Sequence, residues 1–177
     1  EAVFDTTQAD HNTVIFNGLV TGQCAEEPLP SYGCCDLGSI DLTKFISDPF
    51  GQKATFEFEA FGKVIDVAVR MLDNVLDVTA WPLPQQHGEA MAKRRVGLGF
   101  TGLGDALLML KLKYDTPEAR AMAGKIAEYL RDRSYNASVE LARERGPFPM
   151  FNKDLFLSGG SFASRLPVEI KEKIRQH

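Results

Sequence analysis

The spacing of apolar residues changes once along the chain, near residue 56. Before that point the apolar runs are short, Thr13-Val14-Ile15-Phe16 being the clearest, and prolines and glycines are frequent. Residues 1–50 therefore read as a head of loops and short strands rather than helices. Asp48-Pro49-Phe50-Gly51 closes that head as a turn. Beyond it Phe61, Val64, Ile65, Ala68, Met71, Leu72, Val75 and Leu76 recur at three-and-four spacing, which predicts the buried face of a long amphipathic helix. Trp81-Pro82-Leu83-Pro84 must end it, because proline lacks an amide donor and clashes with the turn before it. A shorter helix is expected over 85–94. Gly97, Gly99 and Gly102 then punctuate the chain, read as points where helices approach closely, before an apolar helix over 103–112. Thr116-Pro117-Glu118 is a strong helix start, with a capping hydroxyl, a proline at the first helical position and an early acid. The stripe Ala119, Met122, Ala123, Ile126, Leu130, Ala137 and Leu141 follows, and Gly146-Pro147 stops it. A charged helix over 167–176 ends the chain. The pattern predicts a mainly α unit over 51–177, attached to the head at 1–50.

Composition narrows the picture. A chain of 177 residues with 44% apolar and 25% charged side chains can build a hydrophobic core, which excludes disordered and collagen-like classes. No apolar run approaches the roughly 18 residues of a membrane span, so no membrane crossing is expected. A net charge of -4 argues against a basic nucleic-acid face, and no direct DNA binding is expected. Three cysteines are too few and oddly numbered for a disulfide scaffold, which points to a reducing, cytoplasmic setting. The chain opens on Glu1 with no signal pattern and reads as a piece of something larger.

Few residues carry recognisable chemistry. His11, His87 and His177 are scattered, with no ligand spacing to one another or to the cysteines, so no metal site is expected. Gly97-Leu98-Gly99-Phe100-Thr101-Gly102 is read as falling short of the dinucleotide fingerprint. Lys93-Arg94-Arg95 just before it either meets a phosphate or is a solvated helix end favouring positive charge, the second being the plainer reading. The cysteine segment stands apart. Cys24 and Glu26 lie two residues apart beside Pro28 and Pro30, so an extended backbone turns the thiol and the carboxylate to one side. A neighbouring carboxylate raises a thiol pKa, which disfavours a thiolate nucleophile. It suits chemistry in which sulfur works as a neutral thiol or radical and the carboxylate as base. Buried structural cysteines are the alternative.

The block Cys24-x-Glu26-x-Pro28-Leu29-Pro30-x-Tyr32-Gly33-x-Cys35-x-Leu37-Gly38-Ser39-Ile40-x-Leu42 resembles the catalytic finger loop of ribonucleotide reductase large subunits, most closely the adenosylcobalamin-dependent class II enzymes. Met71-Leu72-Asp73-Asn74-Val75, Pro82-Leu83-Pro84-Gln85-Gln86 and the segment from Lys93 to Leu107 match further motifs in the expected order. The resemblance implies that this chain is part of a catalytic subunit that reduces ribonucleotides to deoxyribonucleotides by thiyl-radical chemistry. It implies the helical portion of a ten-stranded α/β barrel, so that the chain is mainly α within an α/β protein. Cys24 matches the cysteine that becomes the thiyl radical and takes hydrogen from the ribose 3′ carbon. Glu26 matches the base for the 3′-hydroxyl proton, and Cys35 one half of the redox pair that ends as a disulfide, with Cys34 an extra neighbour. Gly22 stands where the family places a substrate-binding asparagine, and Ala25 where class II has glycine.

The resemblance also implies a ribonucleotide substrate, the rest of the catalytic subunit as partner, a thioredoxin- or glutaredoxin-type reductant, and adenosylcobalamin as cofactor, held by residues outside this chain. The chain alone is expected to be inactive. Two alternatives stand beside this reading: a class I large subunit, which shares the loop, and a non-catalytic assembly or nucleotide-binding module, which Gly22 would fit.

Overall fold

The computed structural model describes residues 29–177 in full and, before them, only the backbone of the strands β1 (Thr13–Phe16) and β2 (Leu19–Gly22). The chain divides into two compact units, Glu1–Gly33 and Cys34–His177. In the first, β1 and β2 pair antiparallel, Thr13 facing Gly22 and Phe16 facing Leu19.

The second unit is mainly helical and is built around one parallel strand pair, β3 (Asp36–Asp41) and β6 (Val96–Thr101). Between them run a 3-10 turn (Leu42–Phe45), the short antiparallel strands β4 (Ile46–Ser47) and β5 (Thr55–Phe56), and the helices α1 (Phe58–Val78) and α2 (Pro84–Lys93). After β6 come α3 (Leu103–Met109), α4 (Pro117–Arg145), the single turn α5 (Lys153–Phe156), a second 3-10 turn (Phe162–Arg165) and α6 (Val168–Gln176).

Local chemistry explains most of these boundaries. The Asp48–Gly51 turn closes with a 2.8 Å bond from the Gly51 amide to the Asp48 carbonyl. At the end of α1, the Thr79 hydroxyl donates to Val75 O at 2.6 Å and the Trp81 indole to Leu76 O at 3.3 Å, satisfying carbonyls the helix leaves over. Thr116 Oγ1 accepts from the Ala119 amide at 3.3 Å and starts α4, and Gly146, at φ 83°, ends it.

α1 lies across the strand pair. Gly38 of β3 leaves room for Leu72: a Cβ there would stand 3.3 Å from the leucine's Cδ2. Ile40, Phe45, Phe56, Phe61, Ile65 and Val69 form the heart of the core, joined by Ile126 and Leu130 of α4. Phe61 meets Phe45 and Phe56 at ring separations of 5.1 and 5.4 Å. Contacts between α1 and α4 proceed in the same order along both helices, Phe58 with Tyr129, Asp66 with Arg133, Arg70 with Glu144 and Asp73 with Arg145, so the two run the same way. The far side of α4 serves a second cluster, where Val139 packs with Ala163, Leu166, Ile170 and Ile174.

Four expectations are corrected. Val64, Met71 and Val75 of α1 are exposed, and Val69 is buried instead. α1 carries two adjoining apolar stripes, and the one through Phe61, Ile65, Val69, Leu72 and Leu76 takes the core. The glycines at 97 and 99 do not separate helices but lie inside β6. Their spacing with Gly102 does match G-x-G-x-x-G; what excludes a phosphate cradle is that two of the three sit within a strand, not at its turn into a helix. The helix expected over 103–112 stops at Met109, because Lys111 takes a left-handed φ of 60° while the Leu112 amide bonds Leu107 O and its own amide bonds Leu108 O. Lys93, Arg94 and Arg95 are neither a solvated end nor an open anion site: all three are half-buried and ion-paired.

Leu72→Ala and Ile126→Ala should each lower the stability of the folded chain by about 2–5 kcal/mol, the usual loss for a buried large aliphatic. Met71→Ala should change it by less than about 0.5 kcal/mol, as expected of a surface position. Chemical denaturation of the three variants checks which stripe of α1 is buried.

Candidate functional site

Of the residues singled out in the sequence, His11, Cys24, Ala25 and Glu26 lie outside the described residues. Gly22 ends β2 opposite Thr13. Cys35 lies immediately before β3, half-buried, with its thiol donating to the Asp36 carbonyl at 3.8 Å; Cys34 is half-buried beside it.

Alternation along a strand puts Cys35, Leu37, Ser39 and Asp41 on one face and Asp36, Gly38 and Ile40 on the other. Parallel pairing sets Leu37 beside Gly97, Ser39 beside Gly99 and Asp41 beside Thr101. The two faces differ in kind. The face toward α1 carries Asp36 at its start and is apolar beyond it, with Ile40 buried and Leu98 and Phe100 packed on the core. The opposite face holds glycines, a serine, a threonine, an aspartate and the Cys35 thiol, and Leu37 and Ser39 on it are exposed. A Cβ on Gly97 would stand 3.7 Å from Cys35 Sγ, so the structure brings Gly97 to the thiol's side.

The start of β6 is held by charge. Arg94 caps α2 in a left-handed conformation, φ 45°, and turns its guanidinium onto α1: Nε donates to Asp73 Oδ1 and Nη1 to Asp77 Oδ1, each at 2.7 Å, and Nη2 to the Asp73 carbonyl at 2.9 Å. These bonds, Asp77 first and Asp73 second, raise the arginine pKa further, and the same contact lowers that of Asp77. Glu89 accepts from Lys93 and from Arg95, and the Lys93 bond is the main cause of its lowered pKa. The Asp36 amide then donates to the Arg95 carbonyl at 3.3 Å, joining the two strands at this end.

Asp36 is the unusual group here. Its Oδ2 is buried with no hydrogen-bond partner, and loss of hydration raises its pKa. Neither Asp36 nor the Leu37–Gly97 pairing was singled out from the sequence, since both depend on the strand register.

Elsewhere, an open apolar cleft of about 420 Å³ lies between α4 and the 148–163 segment, lined by Tyr135, Phe148, Met150, Phe156 and Phe162 among others. His87 and His177 are exposed. Among the described residues no three His, Cys, Asp or Glu side chains gather as a metal site, and no helix is long and apolar enough to cross a membrane.

The family described as "Ribonucleotide reductase, barrel domain" matches residues 7–176. A vitamin B12-dependent ribonucleoside-diphosphate reductase of Mycobacterium tuberculosis is 37% identical over 140 residues, covering 79% of this chain and 20% of that protein. A relative of the same name from Thermoplasma acidophilum is 37% identical over 129 residues, covering 73% of this chain and 16% of that one. A ribonucleoside-diphosphate reductase large chain of Encephalitozoon cuniculi is 32% identical over 152 residues, covering 81% of this chain and 19% of that one. The chain spans about a fifth of the length of these relatives.

The raised pKa of Asp36 means that the folded chain holds this proton more tightly than the unfolded chain. Stability therefore falls as pH rises through the Asp36 range, and the charged form is the costly one. Relative to Asp36→Asn, the native chain should keep a constant difference in stability below about pH 3, where both folded and unfolded aspartate are protonated. The variant should then gain on it as pH climbs toward neutrality. Denaturation midpoints measured across that range test this, and a difference independent of pH would refute it.

Proposed function

The chain belongs to the ribonucleotide reductase barrel-domain family, and from that premise we propose that it is part of a catalytic subunit reducing ribonucleotides to deoxyribonucleotides. The observation that carries the reading is the family match over residues 7–176. The head, 1–50, carries the catalytic loop in this proposal, and 51–177 supports it.

The roles follow the motif. Cys24, as a thiyl radical, takes hydrogen from the ribose 3′ carbon, and Glu26 accepts the 3′-hydroxyl proton. The 2′-hydroxyl leaves as water. Cys35 and a second cysteine, supplied by another part of the full-length protein, deliver two electrons and two protons and end as a disulfide. A thioredoxin- or glutaredoxin-type dithiol restores them. Thiol–disulfide exchange depends on access to sulfur, and Cys35, half-buried at the start of β3 beside Gly97, is compatible with that need. Gly22 cannot supply the amide of the family's asparagine, so ribose contacts at this position fall to other groups.

Adenosylcobalamin is the proposed cofactor because relatives named vitamin B12-dependent are among those matched. The residues that hold the cofactor are assigned to other parts of the full-length subunit. A cytoplasmic setting belongs to the same proposal. The class I large subunit is the second reading, since relatives named simply as large chains match as well.

In a full-length reductase carrying this segment, Cys24→Ser should abolish deoxyribonucleotide formation while nucleotide affinity stays within a few fold, because a hydroxyl resists conversion to the radical yet matches the thiol in size. Glu26→Gln should slow turnover by about 10²–10⁴-fold, the usual loss for a general base. Cys35→Ser should still allow radical formation on substrate but stall reduction. Product assays with radical trapping separate the three, and near-normal turnover of Cys24→Ser would overturn the proposal.

A further inference from the structure

Leu37 and Gly97 face each other across the parallel pair, two residues along from Cys35 on the same strand face. A Cβ built on Gly97 would stand 2.5 Å from Leu37 Cδ2, where carbon atoms at optimal separation are about 3.5–4.0 Å apart. The leucine methyl thus fills the volume that any other residue at 97 would claim. Leu37 is 54% exposed, so burial in the core does not hold it there; it lies across the β6 backbone because position 97 has no side chain. Cys35 Sγ borders the same space, 3.7 Å from the position of that Cβ. At Gly99, the next glycine on this face, a Cβ would meet only Ser39 Oγ at 3.8 Å, an ordinary contact. One glycine is a seat, and the other is open ground.

We infer that Leu37, seated in the Gly97 slot, is a positioning residue for Cys35: it walls one side of the thiol and restricts the directions from which a second sulfur reaches Sγ. A disulfide requires its two Cβ atoms about 3.5–4.5 Å apart with a defined torsion, so a wall beside one sulfur limits which approaches succeed. The catalytic consequence rests on the proposed redox role of Cys35, whereas the seat itself is a matter of packing.

Alkylation of Cys35 by iodoacetamide, followed by peptide mass spectrometry so that Cys24 and Cys34 are scored separately, tests the seat. Gly97→Ala must expel Leu37, since the flexible end of the leucine is what can give way. Leu37→Ala removes the wall directly. Leu37→Ala should raise the Cys35 rate about threefold or more; Gly97→Ala exchanges the leucine methyl for a Cβ 3.7 Å from Sγ, so its rise should be smaller, and the double variant should be no faster than Leu37→Ala alone, because coupled residues are non-additive. Gly99→Ala should stay within about 1.5-fold of the native rate, and Leu37→Met, whose flexible thioether refills the slot, should do the same. Thermal melts establish that each variant is folded; if Gly97→Ala is not, the contrast between Leu37→Ala and Leu37→Met decides. Effects that multiply in the double variant, or Leu37→Ala and Leu37→Met that react alike, would overturn the inference. The readout is thiol reactivity, so a failure to make deoxyribonucleotides would count against the proposed function and leave the seat standing, and multiplicative alkylation effects would do the reverse.

Discussion

Two strands that run the same way cannot be joined by a tight turn; the chain must leave one end of the pair and return to the other by a long crossover. Between Asp41 and Val96 this protein does so with α1 and α2, and the packing of α1 on the pair is what makes the crossover stable. A two-stranded parallel ladder has little stability of its own, since parallel sheets occur almost only where helices cover them. The apolar face of β3 and β6 is therefore inseparable from the Phe61–Leu76 stripe, and the substitution of any bulky residue for Gly38 would press on Leu72 at the centre of that contact.

α4 closes the other side of α1 and adds a second constraint. Because the two helices run in the same direction, their C-terminal ends meet, and Arg145 reaches Asp73 at 2.6 Å and Asn74 at 2.7 Å close to where Arg94 reaches Asp73 and Asp77. Two arginines from two elements thus converge on one turn of α1. Arg94 is half-buried and bonded through three nitrogens, a geometry that the planar guanidinium satisfies and a lysine ammonium cannot. Exposed ion pairs contribute little, so the weight of this junction falls on the half-buried Arg94–Asp73 contact rather than on Arg70–Glu144 or Arg133–Asp66 at the surface.

The helices α1, α2, α4 and α6 were legible in the sequence because their ends are written in local chemistry: Pro84, Thr116-Pro117, Gly146-Pro147 and Pro167 each act within one turn, whereas the single turn α5 carries no such proline or glycine. Which face of α1 is buried was not, since Val64, Met71 and Val75 make a stripe as regular as the true one, and only the neighbouring strands decide between them. β6 was missed for a related reason. Its apolar residues Val96, Leu98 and Phe100 alternate as a strand should, but glycines at 97 and 99 have weak strand propensity and read as punctuation. On α4 a single stripe was sought where two clusters draw on different sides, so Val139 escaped notice. Cys35 was legible only through its resemblance to a known motif. Its neighbours Leu37 and Gly97 are separated by the whole crossover, and their meeting depends on register.

Register connects the charged junction to the thiol. Arg94 is bonded to α1, Arg95 to Glu89 and, through its carbonyl, to the Asp36 amide, so the residue that begins β6 is set before the strand pairing starts. A slip of one residue in a strand moves every side chain to the other face. Shifted by one, β6 would bring Val96 or Leu98 to the position beside Leu37, and either side chain would claim the space that the Leu37 methyl fills. The same slip would turn Gly97 and Gly99 toward α1, leaving holes in the core where Leu98 and Phe100 now pack. The apolar face and the small-residue face therefore select the same register, and the arginine junction at the strand's start holds it, with Cys35 at the end of the pair that is held.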